Sequence, residues 1–179
     1  MSAIKKEYLP NYTYDDYILW EGNWELIYGV PYAMAPAPMI KHQEISNKIA
    51  WQLQEVLKEC KVCQALLPID WKIDDDTVVQ PDNLIICHRP QEEAYINKAP
   101  RVIFEILSKS TASVDKNLKY ELYEQEGVNY YIIVDPKENI AKVYRLKEGR
   151  YIKVCDAYED SVDFDLKECA FTFDFSKIW

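Results

Sequence analysis

Val102-Ile103-Phe104-Glu105-Ile106-Leu107 is apolar at every position but one. A run of this kind is a strand covered on both faces, which places it inside a sheet with packed layers on either side. Working outward, Asn83–Cys87 and Tyr130–Val134 read as further strands of the same type, and Gln64–Ile73 as another. Ile45, Ile49, Leu53, Val56 and Leu57 recur at helical spacing and predict a helix over His42–Glu59. A second helix is predicted over Thr111–Glu126, stopped by Gly127, a good C-cap residue. Near the N-terminus, Thr13-Tyr14-Asp15-Asp16 resembles a capping box opening a short helix to about Trp20. Trp24–Tyr28, a Gly29 turn and Val30–Met34 read as a hairpin, ended by Pro36 and Pro38. Ala141–Leu146 and Tyr151–Cys155 read as a second hairpin turning near Gly149, followed by a polar, acidic tail. The expected class is α/β (α+β), a mixed sheet flanked by helices, with residues 1–179 forming one domain.

Composition narrows the function. The chain carries 21 Lys+Arg against 30 Asp+Glu, a net charge of −9, which argues against binding nucleic acid through a broad basic face. The excess acid is uneven: residues 61–120 carry 8 basic and 9 acidic side chains, residues 121–179 carry 8 and 13. Between Ser108 and Lys119 three lysines meet one acid, predicting a small cationic rim. No apolar run approaches the ~18 residues of a membrane span and no export signal opens the chain, so a cytoplasmic protein is expected. Its five cysteines are then expected as reduced thiols. Two histidines and no nucleophile-elbow motif argue against acyl-transfer chemistry.

Glu105 is the first anomaly, because a buried, unpaired carboxylate costs several kcal/mol in practice and needs a partner. A metal cation or a buried Lys or Arg would resolve the cost; a purely structural ion pair is the alternative. The second anomaly is Gln80-Pro81-Asp82 directly ahead of the strand Asn83–Cys87. Proline fixes the entrance of that strand, and Asp82 sits at its end, where an acid can face a cleft. Two carboxylates on neighbouring strands form a hard oxygen site suited to Mg²⁺. The third is a helix face: Asp115, Lys119 and Tyr123 are spaced i, i+4, i+8 on a helix that begins just after the strand carrying Glu105. A lysine beside a two-carboxylate metal site suits phosphodiester hydrolysis, although the same spacing on an exposed helix is an ordinary surface pair.

From Trp24 to Leu146 the chain resembles a family, the stand-alone bacterial restriction-endonuclease (Uma-type) proteins of the PD-(D/E)xK nuclease superfamily. The resemblance is carried by Trp24-Glu25-Leu26-Ile27 with Gly29, Ala35-Pro36-Ala37-Pro38 with His42-Gln43, and Gln80-Pro81-Asp82. It continues through Phe104-Glu105-Ile106-Leu107-Ser108, Ser110-Thr111, Asp115, Lys119, Tyr123, Gly127-Val128, Tyr130-Tyr131 and Val134-Asp135-Pro136. It implies a restriction-endonuclease-like core with a Mg²⁺-dependent nuclease site, Mn²⁺ being a possible substitute, and DNA as substrate. Asp82 and Glu105 would be the two motif acids, the Ile106 backbone carbonyl a further metal ligand, and Glu25 an accessory acid. The superfamily lysine normally stands two residues after the second acid, where this chain has Leu107; the resemblance implies that Lys119 takes over. His42, Gln80, Ser108 and Tyr123 would surround the site as substrate-binding residues. The carboxylates of Glu25, Asp82 and Glu105 should then converge, with the Lys119 ammonium close to them. A homodimer is expected by analogy with duplex cutters. The alternative is a catalytically inactive, nuclease-like binding module, which the Leu107 departure and the negative charge favour.

Other features carry less. Cys60-Lys61-Val62-Cys63 has the spacing of half a zinc knuckle, with Cys87-His88 as a candidate other half, but buried thiols are the preferred reading. His42 fits a site rim or a polar helix start equally well, and His88 is expected at the surface. Asp74-Asp75-Asp76 reads as a solvated turn. Tyrosine supplies 14 of the aromatics, for sheet edges and interfaces or for base stacking.

Overall fold

The computed structural model describes residues 10–34, 39–91, 94–108 and 117–179. It begins with α1 (Tyr14–Tyr17), the hairpin β1 (Trp24–Ile27) and β2 (Val30–Ala33), and the long helix α2 (Ile40–Val56). Next come β3 (Gln64–Leu66), β4 (Asp70–Asp74), β5 (Thr77–Val79), β6 (Asn83–Ile86), β7 (Tyr95–Ile96) and β8 (Val102–Ile106). After α3 (Lys119–Gln125) follow β9 (Tyr130–Asp135), β10 (Ile140–Lys147), β11 (Arg150–Ala157), β12 (Ser161–Asp165) and β13 (Ala170–Asp174). A 3-10 turn, Phe175–Lys177, closes the chain.

All five residues of β8 are buried, as its composition predicts. It lies in a six-stranded sheet of order β11-β10-β9-β8-β6-β3. Successive side chains of a strand point to opposite faces. Val102, Phe104 and Ile106 therefore join α2 (Ile45, Ile49, Leu53) and the C-terminal phenylalanines on one face. Ile103 joins Leu122 and Tyr123 of α3, with Trp71 and Ile27, on the other. Glu105 shares the face of Ile103. β8 pairs antiparallel with β6 and parallel with β9. A parallel neighbour requires a crossover, and α3 belongs to that crossover.

The N-terminal hairpin belongs to a second, five-stranded sheet of order β2-β1-β5-β4-β7. Its turn residues Tyr28 and Gly29 have φ of 52° and 75°. Two positive φ values in a two-residue loop are what a type I′ hairpin turn requires. At Gly29 a Cβ would also come to 3.0 Å from Asn11.

Three expectations are corrected. The strand predicted over Gln64–Ile73 is two strands in different sheets, β3 against β6 and β4 against β5. Pro68, which has no N–H to give a ladder, stands at the break. β5, buried along its length, pairs across the Asp75-Asp76 turn with β4 and was not foreseen. The acidic tail is a packed hairpin of β12 and β13. Val162, Phe164, Phe171 and Phe173 alternate inward while Asp163 and Asp165 alternate outward, so the strand acids of β12 lie on its solvent face. The cysteines also meet in pairs that the reduced-thiol expectation did not include: the sulfurs of Cys60 and Cys169, and those of Cys63 and Cys87, are in contact, and Cys155 stands apart. Cys169 arrives on the C-terminal hairpin, 109 residues after its partner, which no local spacing signals. The predicted start of the second helix at Thr111, like Asp115 and Pro36–Pro38, lies outside the described residues.

Phe173 packs against Phe104, Phe164 and Phe175 with ring centroids 4.9–6.5 Å apart. Phe173→Ala is expected to cost about 3–5 kcal/mol, read as a lower urea midpoint, while exposed Glu159→Ala changes stability by less than ~0.5 kcal/mol.

Candidate active site

Glu105 is 3% exposed on a face otherwise apolar. Its partner is Lys119, 2% exposed at the start of α3, whose Nζ lies 2.9 Å from Glu105 Oε1 and 2.7 Å from Glu25 Oε1. Tyr123, four residues on and on the same helix face, donates its hydroxyl to Glu105 Oε1 at 2.8 Å. Glu25 stands on β1, and its Oε1 also accepts the backbone N–H of Gln80 at 2.8 Å. One ammonium thus joins a carboxylate from each of the two large sheets. The three ionised groups sum to −1.

Asp82 precedes β6. Asn83 is opposite Phe104 in the β6–β8 register, so the next antiparallel step sets Asp82 across from Glu105. The Ile106 N–H donates to Asp82 Oδ2 at 2.7 Å, a side-chain contact that extends the ladder by one bond. His42, in the first turn of α2, brings Nε2 to 3.2 Å from Asp82 Oδ1. The Asp82 side chain is 15% exposed, against 4% for that of Glu105. Asn83, fully buried, fixes this end of β6 to α2: Ser46 Oγ donates to Asn83 Oδ1 at 3.0 Å, and Asn83 Nδ2 donates to the Ser46 carbonyl at 3.3 Å.

A supporting layer comes from residues that the sequence did not single out. Asp70 on β4 accepts from the Gln80 side chain at 3.0 Å and from the Tyr17 hydroxyl at 3.1 Å. Burial, followed by the charge of Asp70, pushes the Tyr17 phenol well above its ordinary range. Trp71 stacks on Tyr123 with centroids 5.7 Å apart. Burial and then the Glu105 charge raise the Tyr123 phenol far above its usual value, so it stays a neutral donor. An acid in a turn-rich segment and an isolated Trp carry no local signal of such roles.

The structure brings Glu25, Glu105, Lys119 and Tyr123 into direct contact and attaches Asp82 through the Ile106 amide. Gln80 reaches the site through its backbone. Ser108 lies half-buried two residues past β8. Three-way convergence of the acids is not found: among the described residues, the sets of three His, Cys, Asp or Glu ligand atoms within 4.8 Å of one another are built on cysteines. The Lys119 ammonium stands between Glu25 and Glu105 instead. Lys119 is therefore no part of a cationic rim, and Lys109 and Lys116 lie outside the described residues. His88 is half-buried rather than at the surface, its Nε2 lacks a partner, and burial lowers its pKa, reinforced by Lys98 and Arg101.

A mixed six-stranded sheet with one parallel pair, flanked by helices, is a restriction-endonuclease-like fold. The Uma2 family, described as "Putative restriction endonuclease", matches residues 14–164, and the chain belongs to this family. Among solved structures it is similar to the crystal structure of "a putative nuclease belonging to DUF820" from Anabaena variabilis ATCC 29413. The TM-score is 0.73 at 21% identity, over 93% of this chain and 96% of that one, a likeness of fold. No curated protein matches the chain.

Lys119→Met leaves two buried carboxylates without their ammonium, and is expected to destabilise the fold by about 3–5 kcal/mol in urea titrations at neutral pH. Tyr123→Phe should cost about 1–3 kcal/mol. Its folded pKa is raised, so the tyrosine's contribution is present below the unfolded value near 10 and is lost as pH rises past it. The Phe variant should accordingly lose stability less steeply above about pH 10.

Proposed function

We propose that the chain is a divalent-metal-dependent nuclease that hydrolyses phosphodiester bonds of DNA, using Mg²⁺ or Mn²⁺. The observation that carries this reading is the buried Lys119 ammonium seated on Glu105, one strand register from Asp82. It supports a lysine supplied from the crossover helix in place of Leu107. The donor set fits a hard divalent cation. Asp82 and Glu105 offer carboxylate oxygens, Ile106 offers a backbone carbonyl, and Glu25, Asp82, Glu105 and Lys119 together carry −2. A bound metal would polarise the phosphate and lower the pKa of an attacking water.

The chain's own groups supply the rest. Lys119 holds fixed positive charge where negative charge grows on the phosphate, in a buried setting where water screens it little. Glu25, itself fixed by the Gln80 amide, holds Lys119 in place, and Tyr123 orients Glu105. Tyr123 is fully buried and tied to Glu105, so in this reading it is a positioning residue and does not touch substrate. In this reading His42, partly exposed beside Asp82, meets DNA together with Ser108, two residues past β8.

Purified protein is incubated with plasmid, single-stranded DNA and RNA, with Mg²⁺, Mn²⁺ or chelator. Metal-dependent DNA cleavage should fall at least about 10²-fold in both Asp82→Ala and Glu105→Ala. Equal cleavage by wild type and variants would trace the activity to a contaminant. Absence of both cleavage and calorimetric Mg²⁺ binding would leave a nuclease-like binding module.

A further inference from the structure

Four of the five cysteines meet at the end of β6 opposite the acid site. Cys60 and Cys63 follow α2, Cys87 follows β6, and Cys169 lies between β12 and β13. Asp82 and Cys87 bracket β6, about 16 Å apart along an extended chain. The Sγ atoms of Cys60, Cys63 and Cys169 lie within 4.8 Å of one another. So do those of Cys63 and Cys87 with a Glu168 carboxylate oxygen. Cys63 belongs to both sets, which makes this one focus of four sulfurs rather than two separate bridges. Tetrahedral Zn²⁺ with Zn–S near 2.3 Å sets its sulfurs about 3.8 Å apart, inside that span.

Three further observations point to a cation. Cys60 and Cys63 have the two-residue spacing of a zinc knuckle, and the Cys63 N–H donates to Cys60 Sγ at 3.4 Å, a bond that stabilises a thiolate ligand from its outer shell. A Glu168 carboxylate oxygen lies beside the sulfurs, and its Oε2 is buried with no hydrogen-bond partner among the described residues. The other oxygen, Oε1, pairs with the Arg101 guanidinium, whose positive charge favours thiolates nearby.

We propose that in the reduced chain Cys60, Cys63, Cys87 and Cys169 hold a structural Zn²⁺ as a closed tetrathiolate site. It fastens the C-terminal hairpin to the end of α2 and to β6, segments separated by up to 109 residues. The site uses no residue of the acid–lysine cluster and stands apart from the nuclease reading. The same four sulfurs, oxidised, pair as Cys60–Cys169 and Cys63–Cys87, so the thiol count separates the two states.

The full chain is purified with reductant and without chelator, and zinc is measured by plasma mass spectrometry alongside alkylation of the denatured protein. About one zinc per chain is expected, with all five thiols alkylated. Cys60→Ser and Cys169→Ser should each lose most of the zinc, whereas Cys155→Ser and Glu105→Ala keep it. Should the first two variants fail to fold, mercurial titration of the wild type should release zinc in step with four thiols. One alkylatable thiol and no zinc would establish two disulfides and overturn the proposal. Five thiols with no zinc even after reconstitution, or full zinc in Cys169→Ser, would also overturn it.

Discussion

The Lys119 ammonium, closed off from solvent between Glu25 and Glu105, is the contact on which the arrangement of the site depends. It ties together β1 of one sheet, β8 of the other and the crossover helix α3. Removing three charges from water costs several kcal/mol per ion, and a buried pair recovers this only with good geometry and further hydrogen bonds. Those bonds are present: the Gln80 amide on Glu25, and the Tyr123 hydroxyl on Glu105. Well-packed apolar residues in the same volume would stabilise the fold at least as well. A polar cluster at this place is therefore weak evidence for stability, which leaves room for the proposed chemistry.

The sheet's pairing arranges this chemistry. Antiparallel β6 and β8 set Asp82 opposite Glu105, and the parallel β8–β9 pair requires the crossover that delivers Lys119. The result is a gradient of exposure, from the partly exposed Asp82 and His42 to the buried Glu105, Glu25 and Lys119. Buried charges of this kind act at short range and are little screened by salt. The overall negative charge and a locally steered phosphate site are thus compatible, since much of the acid excess lies on surfaces such as the outer face of the β12–β13 hairpin.

Strand β6 also spaces two centres, an oxygen-rich one at its start and a sulfur-rich one just past its end. Hard carboxylate and carbonyl donors favour Mg²⁺-like ions, while soft thiolates favour Zn²⁺. In the proposed readings, opposite ends of one short strand would hold different cations, with the packed strand between them keeping the two sets apart.

What the sequence by itself determined is local. The apolar run around Glu105 marks a doubly covered strand and exposes the carboxylate as an anomaly. Helical spacing marks α2, and the proline before Asp82 marks the entrance to β6. These are readings of periodicity and turn chemistry, which act over a few residues. The alternation in Ser161–Asp165 and Ala170–Asp174 was equally present, but its acids concealed a packed hairpin. Tertiary structure alone decided that Lys119 would be buried against Glu25 and Glu105 rather than exposed on its helix. It also decided that Gln64–Ile73 would divide between two sheets and that Cys169 would reach Cys60. Each of these is a contact between segments far apart in sequence. Periodicity tells which side of an element is apolar, but a charge or thiol finds its partner only when the packing of whole sheets brings the two together.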